Sequence, residues 1–349
     1  MMSSAAESNP HGWIRSPGFD LTLIVGVAVL ALACGAAVVL QPHWFVVLLV
    51  LDLWLLGYPH VISTFSRISF DIESFRENRF LVLGLPWIVC AATVVLGNLT
   101  GLWALATIYL YWQWFHYTRQ SYGLMRYYFR RAGEAAPGEE RVTAWALYLV
   151  PLWGILHRSH QGQEEFLSME VKYLPTHLSV VYAAGGLALI AFASWAWFQF
   201  KAWREGRLAT GLTAYTLSHF VIFFVGYVAI EDITFGWLVI NVWHNAQYLL
   251  IVWMYNMNRF KEGVDPKHLL LSTLSQTRPA NVLRYFLFTL GVSTIAYLAI
   301  VLTLMQEAFA AIPLAALVVY QTINFHHYIV DGLIWKKRRR TVRLIPGAA

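Results

Sequence analysis

The sequence predicts an all-α polytopic membrane protein, a bundle of about ten transmembrane helices with both termini on the cytoplasmic side. Three observations carry this expectation. Of the 349 residues 58% are hydrophobic and only 13% charged, about half the charge of a soluble domain. Ten segments are long and apolar enough to cross roughly 30 Å of hydrocarbon. The basic residues gather on alternate sides of those segments.

The segments run at approximately 19–40, 44–65, 80–98, 101–125, 141–157, 178–200, 209–230, 234–257, 283–305 and 309–335. Gln41-Pro42-His43, Asn98-Leu99-Thr100-Gly101 and Glu231-Asp232 are very short connections, and helices joined so tightly are antiparallel neighbours. With the amino terminus inside, the inner segments carry 23 of the 25 Lys and Arg, leaving only Arg158 and Lys172 outside. The net charge of +6 therefore has a topological cause, and no nucleic-acid partner is expected. Cys34 and Cys90 lie inside apolar runs, which argues against a disulfide framework. The chain reads as one integral membrane domain over 1–349, with a short tail over 1–18 and a basic tail over 336–349, placed in a bacterial inner membrane. The outer loop 158–177 suggests an amphipathic cap, and the inner loop 259–282 a segment lying along the membrane surface.

Ionisable residues at membrane depth are costly and mark functional sites. His60, His116, His219, His244, His326 and His327 fall inside the predicted spans. All but His219 lie on spans two, four, eight and ten, which run in the same direction, and at heights that ordinary tilts bring together. Three or four neutral imidazoles from separate helices suit Fe, Cu, Zn or Ni. Gln120 follows His116 by four residues, Tyr248 follows His244 by four, and Asp331 follows His327 by four. Each shares a helix face with its histidine, where it would orient the ring or handle a proton. His219 alone reads as an interhelical hydrogen-bond partner. Trp112, Trp114, Phe115, Tyr117, Trp243 and Phe325 flank the histidines and would line a cavity for a long apolar substrate.

The four histidine segments resemble a known family. Leu56-Gly57-Tyr58-Pro59-His60, Trp114-Phe115-His116-Tyr117, Val242-Trp243-His244 and Phe325-His326-His327-Tyr328-Ile329-Val330-Asp331 are similar to the histidine motifs of the bacterial Brp/Blh membrane β-carotene 15,15′-dioxygenases. They differ in Val-Ile-Ser-Thr after His60, Tyr-Thr-Arg-Gln after His116, and Tyr248 in place of a further histidine. The resemblance implies a non-haem Fe(II) held by His60, His116, His244 and His326, using O2 to split a carotenoid.

The leading expectation is thus an O2-dependent, histidine-ligated non-haem iron oxidoreductase, dioxygenase-like, acting on a hydrophobic carotenoid- or lipid-like substrate. Its ligands would come from His60, His116, His244, His326 and His327, with Tyr248, Asp331 and Gln120 assisting. Two alternatives fit the same residues. One is a bis-histidine haem protein for electron transfer; the other is a transporter or metal permease, for which Gly57-Tyr58-Pro59 offers a helix break. Another transition metal in place of iron also fits the donors. Walker A, dinucleotide-binding and Gly-x-Ser-x-Gly patterns are absent from the sequence.

Overall fold

The structure is a computed structural model that describes residues 11–133, 136–304 and 315–334. Most of the tail over 1–18 and all of the basic tail 336–349 lie outside the described residues, as do both ends of the predicted span 309–335. Of the described residues 84% are helical, with almost no sheet among them. Ten long helical stretches occur among the described residues. They are α1 (Pro17–Leu40), α2 (Pro42–Ile68), α3 (Ile72–Thr100), α4 (Leu102–Ala132), α5 (Glu139–Gln161), α6 (Leu178–Arg204), α7 (Thr210–Ala229), α8 (Ile233–Arg259), α9 (Pro279–Leu304) and α10 (Ala315–Ile334). Six of them, α1, α2, α3, α6, α7 and α9, are long and apolar enough to cross a membrane. The loop after α5 folds as a two-stranded antiparallel hairpin, β1 (Glu165–Phe166) and β2 (Met169–Glu170), not as the amphipathic cap expected there. The segment before α9 holds two short helical turns, Pro266–His268 and Leu269–Leu274.

Four of the long helices contain a π turn, and two of these have the same local cause. In α2 the Tyr58 N–H reaches back five residues to Leu53; in α3 the Leu85 N–H does the same to Phe80. Each is followed at once by a proline, in Gly57-Tyr58-Pro59 and Gly84-Leu85-Pro86. A proline inside a helix has no N–H to donate, and its ring clashes with the carbonyl four residues back. Widening the turn before it relieves that clash without ending the helix.

The contacts divide the chain into two compact units, one of residues 1–45 and 110–244, the other of residues 46–109 and 245–349. In the first unit α5 packs against α6 and α7, and α7 against α1. Glycines permit the closest approaches. A Cβ on Gly154 of α5 would stand 2.5 Å from the Tyr227 Cβ, and one on Gly236 of α8 would stand 1.9 Å from the Gly226 carbonyl oxygen of α7. His219 joins α7 to α5, its Nε2–H donating to the Leu147 carbonyl at 3.0 Å, as the sequence suggested. The last carbonyls of α7 have no intrahelical donor. The buried Arg158 guanidinium supplies one, donating to the carbonyls of Gly226, Ile230 and Glu231, where a cation also complements the helix dipole.

In the second unit α2 packs against α9 and α10, and α10 against α3. Tyr58 stacks on Tyr297 with ring centroids 3.7 Å apart, and Trp54 Nε1–H donates to Thr294 Oγ1 at 3.0 Å. Ile68, Leu81, Val330 and Ile334 form a buried apolar cluster where α2, α3 and α10 meet. Asp71 caps the start of α3, accepting from the Ser74 N–H at 2.8 Å. It also accepts from Arg259 Nη1 of α8 at 2.8 Å. Burial alone would raise the Asp71 carboxyl, but Arg259 and the two Ser74 donors outweigh it and hold the group at about 2.

Two outcomes follow from these contacts. Gly236→Ala should destabilise the protein by about 3 kcal/mol or more, since backbone must shift to admit the methyl group. Gly123→Ala, with nothing within 4 Å of its Cβ, should leave thermal unfolding in detergent unchanged or raise its midpoint slightly. The Asp71 carboxyl is depressed in the folded chain, so its stabilisation is complete above about pH 4 and fades as pH falls toward 2. The loss, on the order of 2 kcal/mol, should appear as a falling unfolding midpoint between pH 4.5 and 2.5 that Asp71→Asn flattens.

Candidate metal centre

In the second unit the histidine of α2 meets one histidine of α10. His60 Nε2 lies 2.8 Å from His327 Nε2. Both rings are buried, and His60 stacks on Tyr248 with centroids 4.1 Å apart. Helical spacing supplies the surroundings, because Thr64 stands one turn after His60 and Asp331 one turn after His327. His327 Nδ1 lies 3.0 Å from Thr64 Oγ1, Thr64 Oγ1 lies 2.8 Å from the Tyr248 hydroxyl, and Tyr248 donates to Asp331 Oδ1.

The directions of these bonds follow from the carboxylate end. Tyr248 donates to Asp331 Oδ1, so its single proton is committed there. Thr64 must then donate to Tyr248, and its oxygen must accept from His327. His327 therefore carries its proton on Nδ1 and accepts at Nε2 from the His60 Nε2–H. A metal-ligating histidine has this arrangement, its far N–H donated to an acceptor that fixes the tautomer. The 2.8 Å gap between the two Nε2 atoms is also close to the spacing of adjacent ligand nitrogens, which at metal–nitrogen bonds of about 2.0–2.1 Å and a right angle is roughly 2.9 Å. The residues present fit a first-row metal ion.

His326 stands apart from this pair. Its Nε2 donates to the Leu81 carbonyl at 2.7 Å, and its ring stacks on Phe65 at 5.8 Å. The π turn of α3 explains the bond. Leu85 donates to Phe80, which leaves the Leu81 carbonyl facing Pro86, a residue with no N–H. His326 provides the missing donor. His326, the ligand that the resemblance implies, has its Nε2 on a backbone carbonyl, and its neighbour His327 takes the position beside His60.

The first unit holds a second histidine pair. His116 of α4 and His244 of α8 lie edge to face with ring centroids 5.0 Å apart, both buried. Tyr117 lies against the His244 ring at 4.0 Å. A directed chain of buried groups holds Tyr117. Trp237 Nε1–H donates to Gln113 at 2.6 Å, Gln113 donates to the Tyr117 hydroxyl, and Tyr117 donates to Asn241. Gln120, expected to orient a histidine ring, instead donates to the His244 backbone carbonyl at 3.3 Å. It steadies the helix that bears the histidine.

No protein-family model, curated protein or solved structure matches the chain.

The relay makes Thr64 a positioning residue for His327. Thr64→Val, which keeps the shape and removes both bonds, should weaken metal binding by about 10–100-fold, read by titration with Co2+ or Fe2+. Thr64→Ser should restore most of the affinity.

Proposed function

We propose that this chain is a membrane-embedded, histidine-ligated non-haem iron oxygenase that acts on a hydrophobic, carotenoid- or lipid-like substrate with O2. The observation that carries this reading is the buried His60–His327 pair, with the two Nε2 atoms 2.8 Å apart and His327 Nδ1 held by Thr64. The ligand candidates are that pair and the His116–His244 pair. Neutral imidazole donors in dry surroundings suit Fe(II). A bound Fe(II) would supply the redox chemistry that lets O2 react with an organic molecule.

The chain's own residues would do the rest. His327 and His60 bind through Nε2, and Thr64 holds the His327 ring. Asp331 keeps the Tyr248 hydroxyl proton turned away from Thr64, so the tautomer does not drift. The apolar helices exclude water, which protects reactive species from side reactions. On this reading the chain has ten spans, with both termini cytoplasmic and the protein in a bacterial inner membrane. Four helices that carry the polar load, α4, α5, α8 and α10, supplement the six that are apolar enough by themselves.

The spacing of the histidines favours non-haem iron over bis-histidine haem. Two axial nitrogens on one haem iron stand about 4 Å apart, twice a metal–nitrogen bond of about 2.0 Å. The His60 and His327 nitrogens are 2.8 Å apart, and a porphyrin does not fit between them.

Metal analysis with an optical spectrum on protein purified without chelator tests the proposal. Near-stoichiometric iron without a Soret band, lost in His60→Ala and His327→Ala and retained in His326→Ala, is the expected result. The same loss in His116→Ala and His244→Ala would add the second pair to the ligand set. Incubation with β-carotene and O2 should then yield an aldehyde product from the wild type only. A Soret band, or iron unaffected by His60→Ala and His327→Ala, would overturn the reading.

A further inference from the structure

The segment between α8 and α9 brings an imidazole to the start of α3. His268 ends the turn Pro266–His268, and its Nδ1 lies 2.7 Å from Asp265 Oδ2. That contact turns its Nε2 toward two other carboxylates, Asp71 Oδ1 and Glu73 Oε2, each at 3.7 Å. One nitrogen and two carboxylate oxygens, one from each of three residues, lie within 4.8 Å of one another. The imidazole and the Asp71 carboxylate are largely buried, with side chains 11% and 2% exposed, whereas Glu73 is open to solvent.

We propose that Asp71, Glu73 and His268 form a second metal site, for a divalent transition ion such as Zn2+, that clips the 260–278 segment to the start of α3. Four features support it. The 3.7 Å separations are too long for hydrogen bonds. They match donors bound to one ion at about 2.0–2.1 Å with an open angle between them, which stand roughly 3.4–3.7 Å apart. The Nδ1–Asp265 contact is the arrangement in which a carboxylate orients a metal-ligating imidazole and raises its basicity.

Charge gives the fourth argument. Asp71, Glu73 and Asp265 bring three carboxylates together; Arg259 pairs with Asp71 Oδ2 at 2.8 Å, and the Lys267 charge acts on Asp265. Three carboxylates against two cations leave a negative balance that a divalent ion would offset. Arg259 occupies Oδ2 and leaves Oδ1 to face the imidazole. A set of one imidazole and two carboxylates suits Zn2+ or Mn2+ and disfavours Mg2+, which prefers oxygen and water.

Calorimetric titration of the full-length protein in detergent, with its co-purified metal left in place, tests the proposal. Zn2+ should bind as one additional equivalent and resist millimolar Mg2+. Glu73→Gln, a change at an exposed side chain that leaves the fold intact, should weaken that binding at least tenfold. His268→Ala should abolish it. Zn2+ should also raise the unfolding midpoint of the wild type and not of His268→Ala. Absence of a saturable Zn2+ equivalent, equal binding in wild type and Glu73→Gln, or ready displacement by Mg2+ would each overturn the site. Iron retained at His60 and His327 is measured separately, so failure here does not bear on the first metal centre.

Discussion

The hydrogen bond from Tyr248 to Asp331 fixes the direction of the chain of bonds that reaches His327 Nδ1. Asp331 Oδ1 accepts the Tyr248 proton; that commitment runs back through Thr64 and ends as a proton on His327 Nδ1. Four side chains on three helices thereby set the state of one nitrogen. Water would scramble such an order by offering each hydroxyl another partner. In an apolar bundle a half-satisfied network costs more than none. The same logic orders the Trp237, Gln113, Tyr117 and Asn241 chain of the first unit, where a donor-only indole fixes the direction from the other end.

Helices carrying so many polar groups need support from elsewhere in each unit, and it comes from close backbone approach and from carbonyls with unusual partners. Gly154, Gly226 and Gly236 let helices meet where a single methyl group would collide, the contact geometry that drives helix association when the solvent is itself apolar. Arg158 closes the end of α7, and His326 closes the carbonyl that Pro86 leaves open. Both are buried and positioned by backbone, and neither needs an anionic partner to be held.

Much of this architecture was legible in the sequence, because helix placement follows apolar length alone. The stretches expected from 19 to 335 correspond to the ten helices, and the polar ones are those in which histidine, glutamine and tyrosine interrupt the apolar run. The pairing of His60 with His327 and not His326 was not legible, since adjacent helical residues diverge by about 100° and only tertiary packing selects between them. Thr64 was missed for a different reason. Threonine in an apolar helix ordinarily satisfies itself on the carbonyl four residues back, as Thr93, Thr118 and Thr216 do. Nothing in the sequence marks Thr64 as the one that turns outward to a histidine and a tyrosine. For Gln120, sharing a face with His116 says which neighbours it can reach, not that a backbone carbonyl of α8 is among them.

The π turn at Leu53–Gly57 has an evolutionary consequence. A π turn is one extra residue accommodated within an α-helix, so every side chain beyond it is rotated by about 100° from where an uninterrupted helix would place it. The face on which His60 and Thr64 stand thus depends on a single inserted residue. A lineage that lost one residue between Asp52 and Tyr58 would keep its span and its apolar composition and yet turn both side chains away from α10. Selection on this helix therefore acts on length as much as on identity. A relative that retains every histidine but aligns with a one-residue gap at this point would have exchanged this site for another.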